Sequence, residues 1–557
     1  MKFDPIRATV SDQTITKVTR LFNGTLKDVL NELLQNARRA GANLVTVGAR
    51  PDGNGLRITI EDDGCGIDDP ARVVALGASS WSESVARGED PAGMGVFSLA
   101  GRHTTIESRS ASAPTGWKIA ISATAWTGEE EIAVEAVERE PGTAVSFLIA
   151  EIHEEGLARE LRNAAEFFPV PVTFNGAVLP RKDFLAGAVH VEDWQGSRIG
   201  IFKGRPYQQT PNVNFHGVTL YSKLFHLPQI DREEIHARID IGHSPALQLV
   251  LPARKEFVEN DGYRALLKAA ELACYRAVAA QTTHSLSFEH FCKARALGIA
   301  LDEAEAILRE WEPDIADNDT SSGPLGERRP ITGDEFLMEP HEAHFEQAIA
   351  RALAGHAIRS NLVEPNEQFA GYQWYDTLRL FADPIFIVAT EQGTHRVDGL
   401  AAEPPLPTTT EADRITLEYE ITEQGTTGAP RENIVADIVF AFPDGCCSDG
   451  LDDVTIAFVK SDKLTPDSLV DLLDNACFSA WNDSDADSWD TQHDRFLRDA
   501  REIAYRILID ENAAIASQFR DAVARIMWVL PKGKRVAISF THGSAIDVVV
   551  SNEEAGE

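Results

Sequence analysis

No pair of cysteines in this 557-residue chain has the spacing of a metal site. The six stand at 65, 274, 292, 446, 447 and 477, with no CxxC among them. The adjacent pair Cys446–Cys447 suits neither a zinc knuckle nor an ordinary disulfide. Buried, unpaired thiols in a reducing cytoplasm are therefore expected. Also missing are an apolar run long enough to span a bilayer and a charged-then-apolar leader, so a cytoplasmic protein without a membrane partner is expected. Basic charge is scarce: 52 Lys and Arg face 87 Asp and Glu, a formal net charge of −35. That disfavours nucleic-acid binding across the whole surface, which needs clustered cations, but leaves room for a local basic patch. HEAH at 341–344 has its histidines at i, i+3 instead of the i, i+4 of a zinc-protease helix, and reads as a solvated helix face. The acidic run DSDADSW lacks the fixed glycine and terminal Glu of a calcium loop, and reads as a solvated loop.

What remains is ordinary globular protein, 43% hydrophobic and 25% charged, long enough for two to four domains. Residues 1–150 alternate helix-like and strand-like segments around glycine-rich turns. Residues 151–312 open on a helical stretch, EEGLARELRNAAEFF, then a strand and turn, VPVTFNGAVLP. ADNDTSSGPLGERRP, at 316–330, has linker composition, and 331–557 mixes helical and strand-like pieces. Its last long helical pattern, HDRFLRDAREIAYRILIDENAAIASQFRDAVARIMWVL, repeats apolar residues at three and four, which core packing explains.

The informative stretch is LKDVLNELLQNARRAGANLVTVGAR, residues 26–50. Leu26, Val29, Leu30, Leu33 and Ala37 make the apolar stripe of a helix. Glu32 and Asn36, four apart, are neighbours on the adjoining face, with Gln35 beside them. A strand, GLRITIED, then runs into Asp62-Asp63-Gly64-Cys65-Gly66-Ile67, where alternate glycines allow close backbone approach to a planar ligand. DPAGMGVFSLAGR sets Gly93 and Gly95 before an apolar helical segment, and such a turn presents free N–H groups to phosphate. EPGTAVSFLI puts Gly142 and Thr143 at a strand start. One G-x-G is weak; four motifs in this order are not.

Together these motifs resemble the GHKL superfamily: gyrase, Hsp90, histidine kinases and MutL. NELLQNARRAGANLVTVGA with EDDGCGI looks most like MutL, and DPAGMGVFS more like Hsp90. The resemblance covers about residues 20–150 and implies a Bergerat-type ATP-binding α/β (α+β) sandwich, a mixed and largely antiparallel sheet with helices on one face. It implies that Glu32 is the general base for water and that Asn36 holds Mg²⁺. Asp62 would accept from the adenine amino group, helped by Thr143, and Gly64 and Gly66 would let the base pack down. Gly93, Met94, Gly95 and Val96 would meet the phosphates, and residues 77–92, with Ser79 and Ser80, would form a short lid. Two departures stand out: Arg39 replaces the usual Asp after the metal-binding Asn, and Pro91 and Ala92 replace the first glycine of the phosphate motif. Histidine kinases typically carry Asn where Glu32 stands and need an upstream phosphoacceptor His, which residues 1–25 lack. A kinase is not expected.

The resemblance further implies a transducer-like α/β domain at 151–312 that sends a basic side chain to the terminal phosphate. LQLVLPARKEFVEND supplies Lys255 or Arg254, with Lys203 and Arg205 as rivals. The whole then reads as a Mg-dependent ATPase in which ATP drives lid closure and self-association of the N-terminal domains around a protein or nucleic-acid partner. The alternative is a nucleotide-gated scaffold with negligible turnover. The α+β C-terminal region at 331–557 resembles nothing recognised.

Overall fold

The computed structural model describes residues 25–552 apart from 54, 76–94, 129, 151, 206–209, 243–245, 251–255, 318–324, 400–401, 404, 443–450, 452–453 and 481–487. The chain forms two compact units, Met1–Ala304 and Glu305–Glu557.

The first unit begins with helix α1 (Leu26–Arg39). Thr25 and Asp28 close a reciprocal capping box that satisfies two free N–H groups, and Arg38 and Arg39 in the last turn suit the negative end of the helix dipole. Val29, Leu30, Leu33, Leu34, Gln35 and Ala37 are buried. Leu26 only packs against the edge of that core, so the stripe turns further toward Leu34 and Gln35 than spacing alone predicts.

Beneath α1 lies an eight-stranded sheet of β1 (Val45–Asp52), β2 (Gly55–Asp62), β3 (Thr104–Arg109), β4 (Gly116–Ile121), β5 (Val134–Val137), β6 (Gly142–Ala150), β7 (Val172–Phe174) and β8 (Ala177–Val178). Its order is β5-β4-β3-β6-β2-β1-β7-β8. Only β1 and β7 run parallel, and helix α2 (Glu154–Ala165) leads from β6 into β7. The fold is the mixed α+β sandwich that the motifs imply. The sheet passes residue 150, however, because β7 covers the edge of β1; VPVTF belongs to this sheet and not to the next.

A second sheet follows in the same unit: β9 (His190–Trp194), β10 (Ser197–Lys203), β11 (Val213–Phe215), β12 (Val218–Leu220), β13 (His226–Leu227) and β14 (Ile235–Ile241). Its path is β12-β11-β14-β10-β9, with β13 also on β14. Helix α3 (Asp261–Ala279) buries Leu266, Ala270, Ala273 and Cys274 in a common core with Ile199, Ile201 and Ile239. Burial pushes the Cys274 thiol up to about 12, so it stays protonated.

The second unit starts at Glu305, ahead of the expected linker, and Arg328–Pro330 of that linker is a strand paired with Ile307–Arg309. Its main sheet is built on Arg379–Thr390, paired with Arg414–Glu423. Helices Ala343–Leu353, Pro466–Cys477, Trp489–Leu508 and Glu511–Ala524 follow the chain, and a hairpin of Lys534–Ser539 and Asp547–Asn552 comes last. Three expectations change here. HEAH is not a solvated face: His344 is buried, with Nε2 2.7 Å from Gly399 O, and burial holds its pKa down. Of the cysteines, Cys65 and Cys292 are exposed, so burial does not protect every thiol. The long terminal pattern breaks at Ile509, and beyond it the apolar residues lie largely outside the core. The acidic loop lies almost wholly outside the described residues. No helix among the described residues is long and apolar enough to cross a membrane.

Candidate functional site

The site grows from strand alternation. Leu56, Ile58 and Ile60 of β2 point to the helix-covered side, and by period two Asp62 ends that row. Asp62 pairs in register with Thr143 on β6, and Thr143 with Ser108 on β3. Three polar side chains, far apart in sequence, thus finish three apolar rows on one face. Ser108 and Thr143 are buried, with their hydroxyl oxygens 3.0 Å apart. Ser108 Oγ also lies 3.0 Å from Gly142 O and accepts from Ile67 N at 2.9 Å. Ser108 was not singled out from sequence. Its signal was a hydroxyl residue closing the alternation Thr104, Ile106, Ser108.

The two neighbouring carboxylates differ in kind. Burial holds Asp62 above the usual carboxylate range, against the opposing pull of the Gly64 and Thr143 backbone N–H groups and the Arg139 charge. Asp63 is exposed and held below that range, chiefly by the Leu44 N–H, and it accepts from Asn43 N at 2.7 Å and Leu44 N at 3.0 Å. Asp63 staples the turn after α1; Asp62 faces the site.

The glycines of this loop answer first to the protein itself. A Cβ on Gly64 would sit 2.6 Å from Ala40 Cβ, where Cys65 N donates to Ala40 O at the end of α1. A Cβ on Gly66 would fall 1.9 Å from Arg109 O, and its φ of +70° is strained for any other residue. Gly66→Ala should therefore cost about 2 kcal/mol or more of folding stability. An unchanged midpoint in denaturant unfolding would contradict this.

Glu32 and Asn36 share a partner. Arg39 lies across them, donating through Nη1 to Asn36 Oδ1 at 3.2 Å and standing 3.7 Å from Glu32 Oε1. The Arg39 side chain is 4% exposed and that of Glu32 is 15% exposed. The guanidinium is always charged, so it is a fixed counter-cation at the pair expected to handle water and metal. Its neighbour Gln35, 3% exposed, sends Nε2 to His216 O at 2.6 Å and accepts from Arg38 Nε at 3.2 Å. His216 sits at φ +55° in the turn between β11 and β12, so α1 is hydrogen-bonded directly to the second sheet. Nothing in the sequence pairs Gln35 with a carbonyl so distant along the chain.

Of the phosphate motif, Gly95 and Val96 lie within the apolar helical segment itself, a 3₁₀ helix described over Gly95–Leu99; Val96 packs partly buried on the core. Gly93, Met94 and the expected lid, residues 77–92 with Ser79 and Ser80, lie outside the described residues, as do Arg254 and Lys255. Lys203 ends β10, exposed, and Arg205 pairs with Glu234 at 3.2 Å.

Residues 23–151 match the family model described as "Histidine kinase-, DNA gyrase B-, and HSP90-like ATPase". This part of the chain is a GHKL-type ATP-binding domain. No curated protein matches the chain.

Proposed function

We propose that the protein is a Mg²⁺-dependent ATP hydrolase. The observation that carries this reading is that Glu32 and Asn36 of α1 share Arg39, while the end of the same helix is hydrogen-bonded from Cys65 N to Ala40 O, in the glycine loop that follows the half-buried Asp62. Glu32 takes the proton of the attacking water, a role worth about 10²–10⁴-fold. Ionised Asp62 accepts from the adenine amino group, with Thr143 beside it. Gly64 and Gly66 form the floor, and Gly93, Met94, Gly95 and Val96 cradle the phosphates. Ser79 and Ser80 cover the nucleotide, and Lys255 meets the terminal phosphate.

The donor set fits the metal sparsely. Asn36 Oδ1 keeps a second lone pair beside its Arg39 bond. Among the described residues no cluster of three or more His, Cys, Asp or Glu could form an all-protein cage. That suits Mg²⁺, which takes few protein ligands and keeps waters and phosphate oxygens. When bound, the ion offsets charge on the phosphates.

Hydrolysis would reset a clamp that closes its lid and self-associates through the N-terminal domains around a protein or nucleic-acid partner. The Gln35–His216 bond supports such coupling, since any shift of α1 on nucleotide binding pulls on the second sheet. A second reading, a nucleotide-gated scaffold with negligible turnover, is favoured by one feature: the Arg39 guanidinium already engages both Glu32 and Asn36. Phosphate release under saturating Mg-ATP decides between them, and undetectable release favours the scaffold. If Arg39 competes with the cation for Asn36, Arg39→Ala lowers the Mg²⁺ concentration needed for half-maximal turnover several-fold. An unchanged or higher requirement in a Mg²⁺ titration rules that competition out.

A further inference from the structure

Ser108 fixes the direction of a neighbouring hydroxyl. Its side chain is fully buried, so bulk water does not compete for it. A hydroxyl carries one hydrogen and two lone pairs, and Ser108 Oγ has three polar neighbours among the described residues. Ile67 N donates to it at 2.9 Å and takes one lone pair. Gly142 O, at 3.0 Å, can only accept, so the single Ser108 hydrogen goes there. Thr143 Oγ1, also at 3.0 Å, meets the remaining lone pair and is therefore the donor of that contact. The opposite assignment, with Ser108 donating to Thr143, leaves Ser108 Oγ and Gly142 O 3.0 Å apart with no hydrogen between them. In a buried site that repulsion is little screened. The Ile67 donor is held in turn: Trp117, opposite Ser108 on β4, donates from Nε1 to Ile67 O at 2.7 Å.

We infer that Ser108 is a positioning residue: it makes Thr143 a hydrogen-bond acceptor only toward the nucleotide pocket, and so adds to the selection of adenine over a purine with a carbonyl in place of the amino group. The inference rests on the ATP-binding reading of this site. At zero exposure Ser108 does not itself meet a nucleotide, and it acts through Thr143. Thr143 stands opposite Asp62 in the β2–β6 register, and such opposed side chains lie about 4.5–5.5 Å apart at Cβ. Ionised Asp62 is also acceptor-only. Two acceptors side by side require hydrogens on the ligand. The adenine amino group brings two. Hypoxanthine, with oxygen at the same ring position, brings none there, and its lone pairs face those of the site. Buried groups left unpaired in this way are what reject an analogue. With Ser108 absent, the Thr143 hydroxyl turns its hydrogen outward and donates to that carbonyl, and part of the discrimination is lost.

Equilibrium titration of the full chain with ATP and with inosine triphosphate tests this, read as the ratio of the two affinities. Both are taken on the same folded protein, so a variant that only loses stability leaves the ratio unchanged. Ser108→Ala and the nearly isosteric Ser108→Cys, whose thiol is a weak donor and weak acceptor, should each lower the preference for ATP by about tenfold, part of it as a gain in inosine triphosphate affinity. Ser108→Thr keeps the hydroxyl and should keep the wild-type ratio. In a Thr143→Val background Ser108→Ala should no longer move the ratio, because the hydroxyl that it directs is gone. A ratio unchanged in Ser108→Ala and Ser108→Cys makes Ser108 part of the framework and overturns the inference, as does an equal fall in Ser108→Thr; ATP binding by wild type stands in either case. A wild type that binds neither nucleotide overturns the ATP-binding reading, and this inference with it.

Discussion

Glu32→Ala is expected to abolish phosphate release, by about 10²–10⁴-fold, while ATP binding stays within a few-fold of wild type. The asymmetry follows from what the carboxylate does. In the hydrolase reading it accepts a proton only as water attacks, so its loss raises the barrier and leaves the ground state alone. The variant also leaves Arg39 with Asn36 as a partner, since the guanidinium spans both. Single-turnover phosphate release and equilibrium ATP titration measure the two halves separately. Equal loss of binding and turnover would make Glu32 a structural residue. Equal turnover in variant and wild type would remove it from the chemistry.

Asp62→Asn should do the reverse: ATP affinity falls at least tenfold, and the nucleotide-free protein is no less stable. Burial raises the folded-state pKa of Asp62 above its unfolded value. A raised carboxyl contributes stability below the unfolded pKa and loses it as pH climbs through the folded pKa, so at neutral pH the ionised group is a burden that the amide lifts. The adenine amino group is a donor and needs the ionised acceptor, which Asn cannot reproduce without turning its own amide oxygen to the base. In wild type, ATP affinity should accordingly fall as pH drops through a range above that of ordinary carboxylates. Thermal unfolding without ligand and ATP titration across pH check both parts. A variant that is less stable but binds ATP normally would show Asp62 to be part of the framework and not of the pocket.

The helix at 26–39 was readable because its signals are local: a capping box, apolar spacing and two arginines at the end. The glycine loop is legible for the same reason, and the structure adds a second cause to it. Gly64 and Gly66 are required by Ala40 and Arg109 of the protein's own backbone before any ligand arrives. Ser108 went unnoticed because its role depends on strand register, which brings it beside Thr143 and Asp62. At the far end, the periodic pattern after Trp489 was read as core. Periodicity says that a helix has an apolar face and is silent on what covers it, and among the described residues from Ile509 onward most large apolar side chains are exposed.

By itself the sequence determined which chemical groups the first 150 residues present and in what order, since capping, turn-forming glycine and side-chain period act over a few residues. Only the tertiary structure decided that Arg39 bridges Glu32 and Asn36, that Gln35 ties this helix to the second sheet, and that Ser108 stands beside Thr143. Those outcomes depend on side-chain direction and on contacts between segments as far as 181 residues apart, which spacing along the chain does not encode.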